Sequence, residues 1–389
     1  MKTSPPRSWR RVDGVLLLDK PVGMSSNAAL QKARRLFQAE KGGHMGTLDP
    51  FASGLLPLCF GEATKFSRFV LDADKTYRAT LRLGVTTTTG DPEGDIVETR
   101  EIAQVDPAAV EHALTRFHGV QPQIPPRHAA LKYQGRAYYE YARAGVEIPR
   151  EARTIEIHAL RLIDFAPPVL VIDAHVSKGT YIRTLAEDLG AALGCGAHLT
   201  ALRRLQSGLF SMASAHTLEG LTAASDAERM ACLLPTETLV RSLPRADLDP
   251  AAAGRFSQGQ RLALRDVAAL SVPDQAVYAV FSPHCEGGDP EKPPSVSDGH
   301  PLSKGGKESS PLPSLSPCPS PAESGRGEAF PSSLPCGREA GREGREGWGG
   351  DGVSAPSPPT PLPQGERGGK FLGVAEVREG ALRPLRLVV

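Results

Sequence analysis

Residues 41–50, KGGHMGTLDP, offer an ammonium, an imidazole, a hydroxyl and one carboxylate within ten positions. Glycines flank His44 at 42, 43 and 46, Pro50 follows Asp49, and Gly54 and Pro57 lie just beyond. Glycine reaches backbone angles that other residues avoid and proline fixes its own, so this is a shaped loop that aims its side chains. One reading is a plain turn, with the Asp49 side chain bonded to its own backbone ahead of the proline. The other is a carboxylate presented for chemistry. The rest of the chain decides between them.

Gly43-His-Met-Gly-Thr-Leu-Asp-Pro50, followed by Ser53-Gly-Leu-Leu-Pro57, resembles the catalytic motif of the bacterial tRNA pseudouridine-55 synthases, the TruB family. Four more stretches match in the family's order: Leu18-Asp-Lys-Pro-Val-Gly-Met-Ser-Ser26, Gly61-Glu-Ala-Thr-Lys-Phe66, Lys75-Thr-Tyr-Arg-Ala-Thr-Leu-Arg-Leu-Gly84 and Ser177-Lys-Gly-Thr-Tyr-Ile-Arg-Thr-Leu-Ala-Glu-Asp-Leu-Gly190. The resemblance covers residues 12 to about 240. It implies Asp49 as the nucleophile, Arg183 as its paired cation and Tyr77 as the active-site tyrosine that stacks on the target base. His44 would stack within the remodelled RNA loop, and Lys20, Tyr181 and Leu202 would line the pocket. The residues alone also allow Arg183 as a surface helical arginine, Tyr77 as a core tyrosine and His44 as a structural histidine. Two positions depart from the family pattern: Met45 stands where Thr is usual, and Ala129 where Ser is usual.

The reaction so implied breaks the N-glycosidic bond of a uridine and remakes it to C5 of the same base. Nothing external is exchanged, so no cofactor and no metal is expected. The sequence has no Walker loop, no convincing GxGxxG and no His/Cys cluster at metal-ligand spacing. A carboxylate must stand ionised beside the sugar or base, and burial raises its pKa unless a cation stands next to it. The base must also be flipped out of its loop.

At 389 residues the chain can hold two domains. The net charge of +1 argues against a uniformly basic coat, but residues 1–70 carry eleven Lys/Arg against five Asp/Glu, and residues 127–153 six against three. Localised basic surface near the loop suits a polyanion, with a solvated charged face as the alternative. Six cysteines form no CxxC pair, and no apolar run reaches spanning length. The expected protein is reduced, cytoplasmic and monomeric, with the tRNA T stem-loop as partner and no membrane.

The elements that must position these groups follow from periodicity. Val15-Leu-Leu-Leu18 predicts a buried strand, and Ser25 or Ser26 caps a helix to Phe37. Residues 76–83 alternate, with Tyr77, Ala79, Leu81 and Leu83 on one face. Helices are predicted over 107–118, 135–144 and 181–193, strands over 154–165 and 169–176, and a polar turn region over 86–94. Strands with scattered helices predict an α+β fold. Residues 255–262, 276–281 and 370–377 also read as strands; the resemblance implies a mixed, largely antiparallel sheet flanked by helices, and makes these strands a small C-terminal PUA-like β-barrel. Residues 282–369, rich in Pro, Gly, Ser, Glu and Arg, predict a disordered insertion. The expected division is a flexible N-terminus (1–11), a catalytic domain (12–245), the first part of an RNA-binding domain (246–281), the insertion (282–369) and the last strands (370–389).

The predicted activity is isomerisation of uridine 55 in the T loop of tRNA. Its rivals are the same chemistry on another RNA such as ribosomal RNA, a phosphoryl-transfer enzyme using Asp49, and an RNA-binding protein without catalysis. In aspartyl-phosphate phosphatases the Asp precedes the Gly-Thr, the reverse of the order here. An intact Asp49, Tyr77 and Arg183 argue against a non-catalytic protein.

Overall fold

The computed structural model describes residues 9–102, 105–264, 267, 276–282, 369–379 and 381–388. Its first strand, β1 (Gly14–Lys20), is apolar at consecutive positions because both of its faces are covered. Val15 and Leu17 pack with Met45, Leu55 and Phe66, while Leu16 and Leu18 enter a second core with Leu30, Ala33 and Phe37. Each such leucine contributes about 1.5–3 kcal/mol when fully buried. Helix α1 (Ser26–Phe37) starts where the Ser25 hydroxyl accepts the Ala28 N–H at 3.1 Å. The chain returns through β2 (Gly42–His44), which pairs antiparallel with β3 (Ser53–Phe60), so residues 45–52 form the loop at the tip of this pair.

A 3-10 turn (Gly61–Phe66) and short α2 (Arg68–Leu71) lead to β4 (Lys75–Leu83). Ala79, Leu81 and Leu83 of β4 are buried, whereas Arg78 and Arg82 on the other face are exposed. The predicted polar turn region is a hairpin of β5 (Val85–Thr87) and β6 (Ile96–Thr99). Helix α3 (Pro107–Thr115) stops three residues short of the predicted end. After β7 (Gly119–Gln123) comes a small hairpin of β8 (Lys132–Tyr133) and β9 (Arg136–Ala137), whose second strand takes the start of the span predicted as helix. Helix α4 therefore runs only Tyr138–Arg143, because Gln134 is left-handed and turns the hairpin. Strands β10 (Arg153–Ala166) and β11 (Val169–Val176) match their predicted spans, and α5 (Ile182–Ala192) follows. Then come β12 (Ala197–Ser207), β13 (Phe210–Ser211), β14 (His216–Thr217), α6 (Leu218–Ala223) and α7 (Asp226–Ala231).

The main sheet runs β14-β1-β3-β12-β4-β11-β10-β7, with β2 and β13 off its path. Only β1–β14 and β3–β12 are parallel, so it is mixed and largely antiparallel. The apolar face of α5 (Ile182, Leu185, Ala186 and Leu189) lies in the core with β4 and β12. That packing brings the first turn of α5 to the sheet. At the other end of this part of the chain, Arg10 bonds Gln38 and Glu40 through its backbone and pairs with Asp226 at 2.6 Å. Among the described residues, no helix is long and apolar enough to cross a membrane.

The C-terminal strands are β15 (Arg245–Asp247), β16 (Leu262–Ala263), β17 (Val277–Phe281), β18 (Phe371–Arg378) and β19 (Ala381–Leu387), in the order β15-β17-β18-β19-β16. Among the described residues this path is open at both ends. The strand predicted to begin at Arg255 is a correction: Pro250–Ser257 is helix α8. Asp249 caps it by accepting the Ala252 N–H at 2.8 Å, Pro250 starts it, and Ala252, Ala253 and Phe256 are buried one helical turn apart. Only Leu262 and Ala263 remain for β16.

Strands β17 and β18 pair antiparallel, and the Ser282 N–H donates to the Lys370 carbonyl at 2.9 Å. The predicted insertion lies outside the described residues, apart from Ser282 and Gly369 at its ends. Phe281 and Phe371 are at 5.3 Å between ring centroids, and Phe371 is equally close to Phe66 of the main domain. The base of this hairpin is therefore anchored in a core shared with β1 and β3. Loop-closure entropy grows only logarithmically, so about ninety residues between paired strands cost roughly 2–3 kcal/mol more than about five. Replacing residues 283–368 by a short Gly-containing turn is expected to leave unfolding cooperative and to raise Tm slightly. Differential scanning calorimetry of deletion and parent checks this; a lower Tm would contradict it.

Candidate active site

The loop carrying Asp49 is held at several points. The Ser26 hydroxyl, in the first turn of α1, accepts the Leu48 N–H at 2.8 Å and donates to the Leu48 carbonyl at 3.0 Å. The Gly23 N–H reaches the Pro50 carbonyl at 2.8 Å, and Met45 N–H the Pro57 carbonyl at 2.9 Å. Between these ties the Asp49 carbonyl accepts the Ala52 N–H at 3.1 Å, closing a turn. The plain-turn reading described this backbone, but the carboxylate faces elsewhere.

Asp49 Oδ2 lies 3.2 Å from Nε of Arg183. Arg183 sits in the first turn of α5, where its side chain is only 6 % exposed, so it is not a surface helical arginine. Its Nη1 is 3.3 Å from Asp91 Oδ2, and its Nη2 donates to the His128 carbonyl at 3.1 Å. One guanidinium thus serves two carboxylates and a carbonyl, which the planar fork of arginine allows. Asp91 was not singled out in the sequence. It lies in the Gly-Asp-Pro-Glu-Gly turn between β5 and β6, where its Oδ1 also accepts the Glu93 N–H at 3.0 Å. A carboxylate in such a turn reads as a local backbone partner, so no local signal marked it.

Asp49 has its pKa raised, chiefly because burial disfavours its charge. Arg183 and Lys20 oppose the rise, while Asp91 adds to it. Desolvation is the larger effect, and Arg183 is the largest one opposing it. Since the carboxylate remains about a third exposed, water screens part of it. Glu93 is raised too, by burial first and then by the charges of Asp91 and Asp49.

Lys20 ends β1 fully buried, its ammonium donating to the carbonyls of Pro21 at 2.9 Å and Met24 at 2.6 Å. Burial brings its pKa down to about 8, against the pull of Asp49. Tyr181 is the N-cap of α5, and Gln123 of β7 clasps its backbone, accepting its N–H at 2.8 Å and donating to its carbonyl at 3.1 Å. Its phenol is raised by burial, with Arg153 and Arg183 opposing. Tyr77 is half-buried on β4 against the main core, opposite Ala174 and Arg204 on the neighbouring strands. Leu202 on β12 is 8 % exposed and lies opposite Ala79 of β4.

His44 stands on β2 opposite Leu58, half-buried, with an Nδ1 that has no hydrogen-bond partner. Burial, and secondly the charge of Arg204, lowers its pKa, so the neutral imidazole is favoured. Contacts join Asp49, Arg183 and Asp91 directly. Lys20, Tyr181 and Glu93 are near enough for their charges to act on the group, or for its charges to act on them. No hydrogen bond or ion pair ties His44, Tyr77 or Leu202 to it among the described residues. Among those residues no group of His, Cys, Asp and Glu could hold a metal ion.

The two departures from the family pattern are both buried. Met45 is fully enclosed with Val15, Leu17, Leu55, Cys59 and Phe66, so an apolar side chain fills that space. Ala129 is 1 % exposed, and its carbonyl accepts the Tyr139 N–H at 3.2 Å.

Comparison with known proteins is consistent along the chain. The description "TruB family pseudouridylate synthase (N terminal domain)" matches residues 34–182, and "tRNA pseudouridylate synthase B C-terminal domain" matches 183–241. A tRNA pseudouridine synthase B from Burkholderia mallei (strain ATCC 23344) is 58% identical over 272 residues, covering 70% of this chain and 86% of the relative. One from Thiobacillus denitrificans (strain ATCC 25259 / T1) is 59% identical over 265 residues, covering 68% and 85%. Among solved structures, the crystal structure of a Cbf5-Nop10-Gar1 complex contains a chain 26% identical, with a TM-score of 0.55 over 72% of this chain and 81% of that one. The matched residues span Asp49, Asp91 and Arg183, and the chain belongs to the TruB family of pseudouridylate synthases.

Proposed function

We propose that this chain converts uridine 55 in the T loop of tRNA to pseudouridine, with Asp49 as the nucleophile. The observation that carries the reading is the Asp49–Arg183 pair, 3.2 Å apart at the tip of a tied loop, in a chain 58% identical to a tRNA pseudouridine synthase B. In the reaction the C1′–N1 bond breaks, the base turns, and a bond from C1′ to C5 forms. The C5 proton leaves and N1 gains one, so product and substrate are isomers.

Asp49 acts ionised, with Arg183 offsetting the cost of its partial burial. Tyr77 stacks on the flipped base and helps move the C5 proton. His44, uncharged, fills space the base leaves, which offsets an unstacking cost of a few kcal/mol. Lys20, Tyr181 and Leu202 line the pocket. Ribosomal RNA as target is the weaker reading, since the relative 58% identical to this chain is named a tRNA pseudouridine synthase.

Residues 12–245 form the catalytic domain on this reading. Residues 246–281 and 370–389 form a PUA-like RNA-binding domain that 282–369 interrupts, and the protein works as a cytoplasmic monomer. Release of tritium from C5-labelled uridine in tRNA tests the activity as a whole.

Asp49→Asn is expected to abolish tritium release while tRNA affinity stays within a few-fold, because the near-isosteric amide is no nucleophile. Turnover above about a hundredth of the parent would move the chemistry to another residue.

The sign of the pH dependence follows from the raised pKa. Asp49 stays protonated above its ordinary value of 3.8, so activity rises as pH rises through the shifted value. Ionising it there lowers folding stability, since the folded state holds that proton more tightly than the unfolded chain. Arg183→Met removes an opposing cation, so the acid limb of the kcat/KM profile is expected to move to higher pH. It also leaves buried Asp91 without its partner, a loss of about 3–5 kcal/mol. An unchanged limb in a folded variant would remove Arg183 from this role.

An isolated T stem-loop is expected to be a substrate, with affinity falling steeply as salt rises through contacts between Lys/Arg and phosphates. Fluorescence anisotropy across a salt series measures it, and a flat series, or no turnover on the stem-loop, counts against the reading.

A further inference from the structure

We propose that Arg204 is a positioning residue for the Asp49 loop: its guanidinium ties the carbonyl of Gly46 to that of Leu55, setting the backbone path between His44 and Asp49. The proposal rests on the reading of Asp49 given above. Arg204 lies on β12, opposite Gly54 of β3 on one side and Tyr77 of β4 on the other. The residue is 1 % exposed. Nε donates to the Leu55 carbonyl at 2.6 Å and Nη2 to the Gly46 carbonyl at 3.3 Å.

Among the described residues no carboxylate lies within ion-pair distance of Arg204. A buried charge without a counter-ion is costly, and an apolar side chain would fill the same space without that cost. What a neutral replacement lacks is a planar fork able to bond two carbonyls on different segments. Lysine lacks it as well, being a point charge on a flexible stem.

Gly46 in the loop and Gly54 at the start of β3 both pack against this residue. At Gly46 (φ +99°) a Cβ would stand 3.2 Å from Nη1 of Arg204. At Gly54 (φ +101°) it would stand 2.4 Å from the carbonyl oxygen of Arg204 itself. The Gly54 contact is with the main chain of position 204 and holds for any residue there; the side chain's own hold is on Gly46 and on the carbonyl of Leu55. Its charge also reaches the pocket side: together with burial, it lowers the pKa of His44 and of Lys20.

The test compares Arg204→Lys and Arg204→Gln with the parent, using single-turnover kinetics on a T stem-loop, affinity for the same RNA and thermal melting. Asp49→Asn is the control. A misplaced catalytic group costs about 10²-fold in rate, so both variants are expected to lose about that in kcat, with Kd within about threefold and melting still cooperative. Arg204→Lys keeps charge and length, so it separates the fork from simple loss of a buried cation. Two results overturn the proposal. One is a folded Arg204→Lys whose kcat stays within about threefold of the parent. The other is a loss that recovers on cooling in step with the folded fraction, which a role in stability alone would give. If Asp49→Asn itself turns over, the reading of Asp49 fails instead.

Discussion

Arg183 carries one positive charge that two carboxylates share, Asp49 at 3.2 Å and Asp91 at 3.3 Å, with Arg183 and Asp91 buried and Asp49 still about a third exposed. The arrangement is electrostatically lopsided. Burial makes the charge of two adjoining acids expensive even with Arg183 between them and Lys20 nearby, and Asp49 shows it by holding its proton more tightly than an ordinary aspartate. Asp91 and the His128 carbonyl use the far end of the guanidinium, which leaves Nε for Asp49. The ring of partners fixes Arg183 in one orientation.

The three groups come from distant parts of the chain, so the sheet has to bring them together. Asp49 is at the tip between β2 and β3, Asp91 is in the β5–β6 turn, and Arg183 starts α5. Strands β3, β12, β4 and β11 are neighbours in that order, and α5 packs its apolar face on β12 and β4. An error in the register of β12 would move Arg204 and Leu202 to the wrong face, since side chains alternate along a strand. The same pairing therefore sets both the core and the loop.

The opposite face of β1 and β3 is closed by the C-terminal strands. Phe66, Phe281 and Phe371 meet there, together with Met45 and Leu55 from the two ends of the Asp49 loop. The loop thus has polar chemistry on one side and a dry apolar anchor on the other. The same anchor holds the base of the hairpin from which residues 283–368 depart.

Sequence alone determined what depends on local order. The apolar run at Val15, the alternation along 76–83, the Ser25 cap and the apolar face of α5 each follow from residue type and period, and each is found. Asp49, Arg183 and their pairing were legible through motifs that resemble one family, with types and spacing preserved. Where local signals conflicted, the reading failed: Arg255 and its neighbours form helix because Asp249-Pro250 caps and starts one just upstream. Tertiary structure alone decided the rest. Asp91 and Arg204 sit in a turn and a strand that look ordinary, and their partners are 92 and about 150 residues away in the chain. A side chain's charge balance depends on everything packed around it. Neither the second carboxylate on Arg183 nor the net direction of the Asp49 shift is written in any local stretch of the sequence.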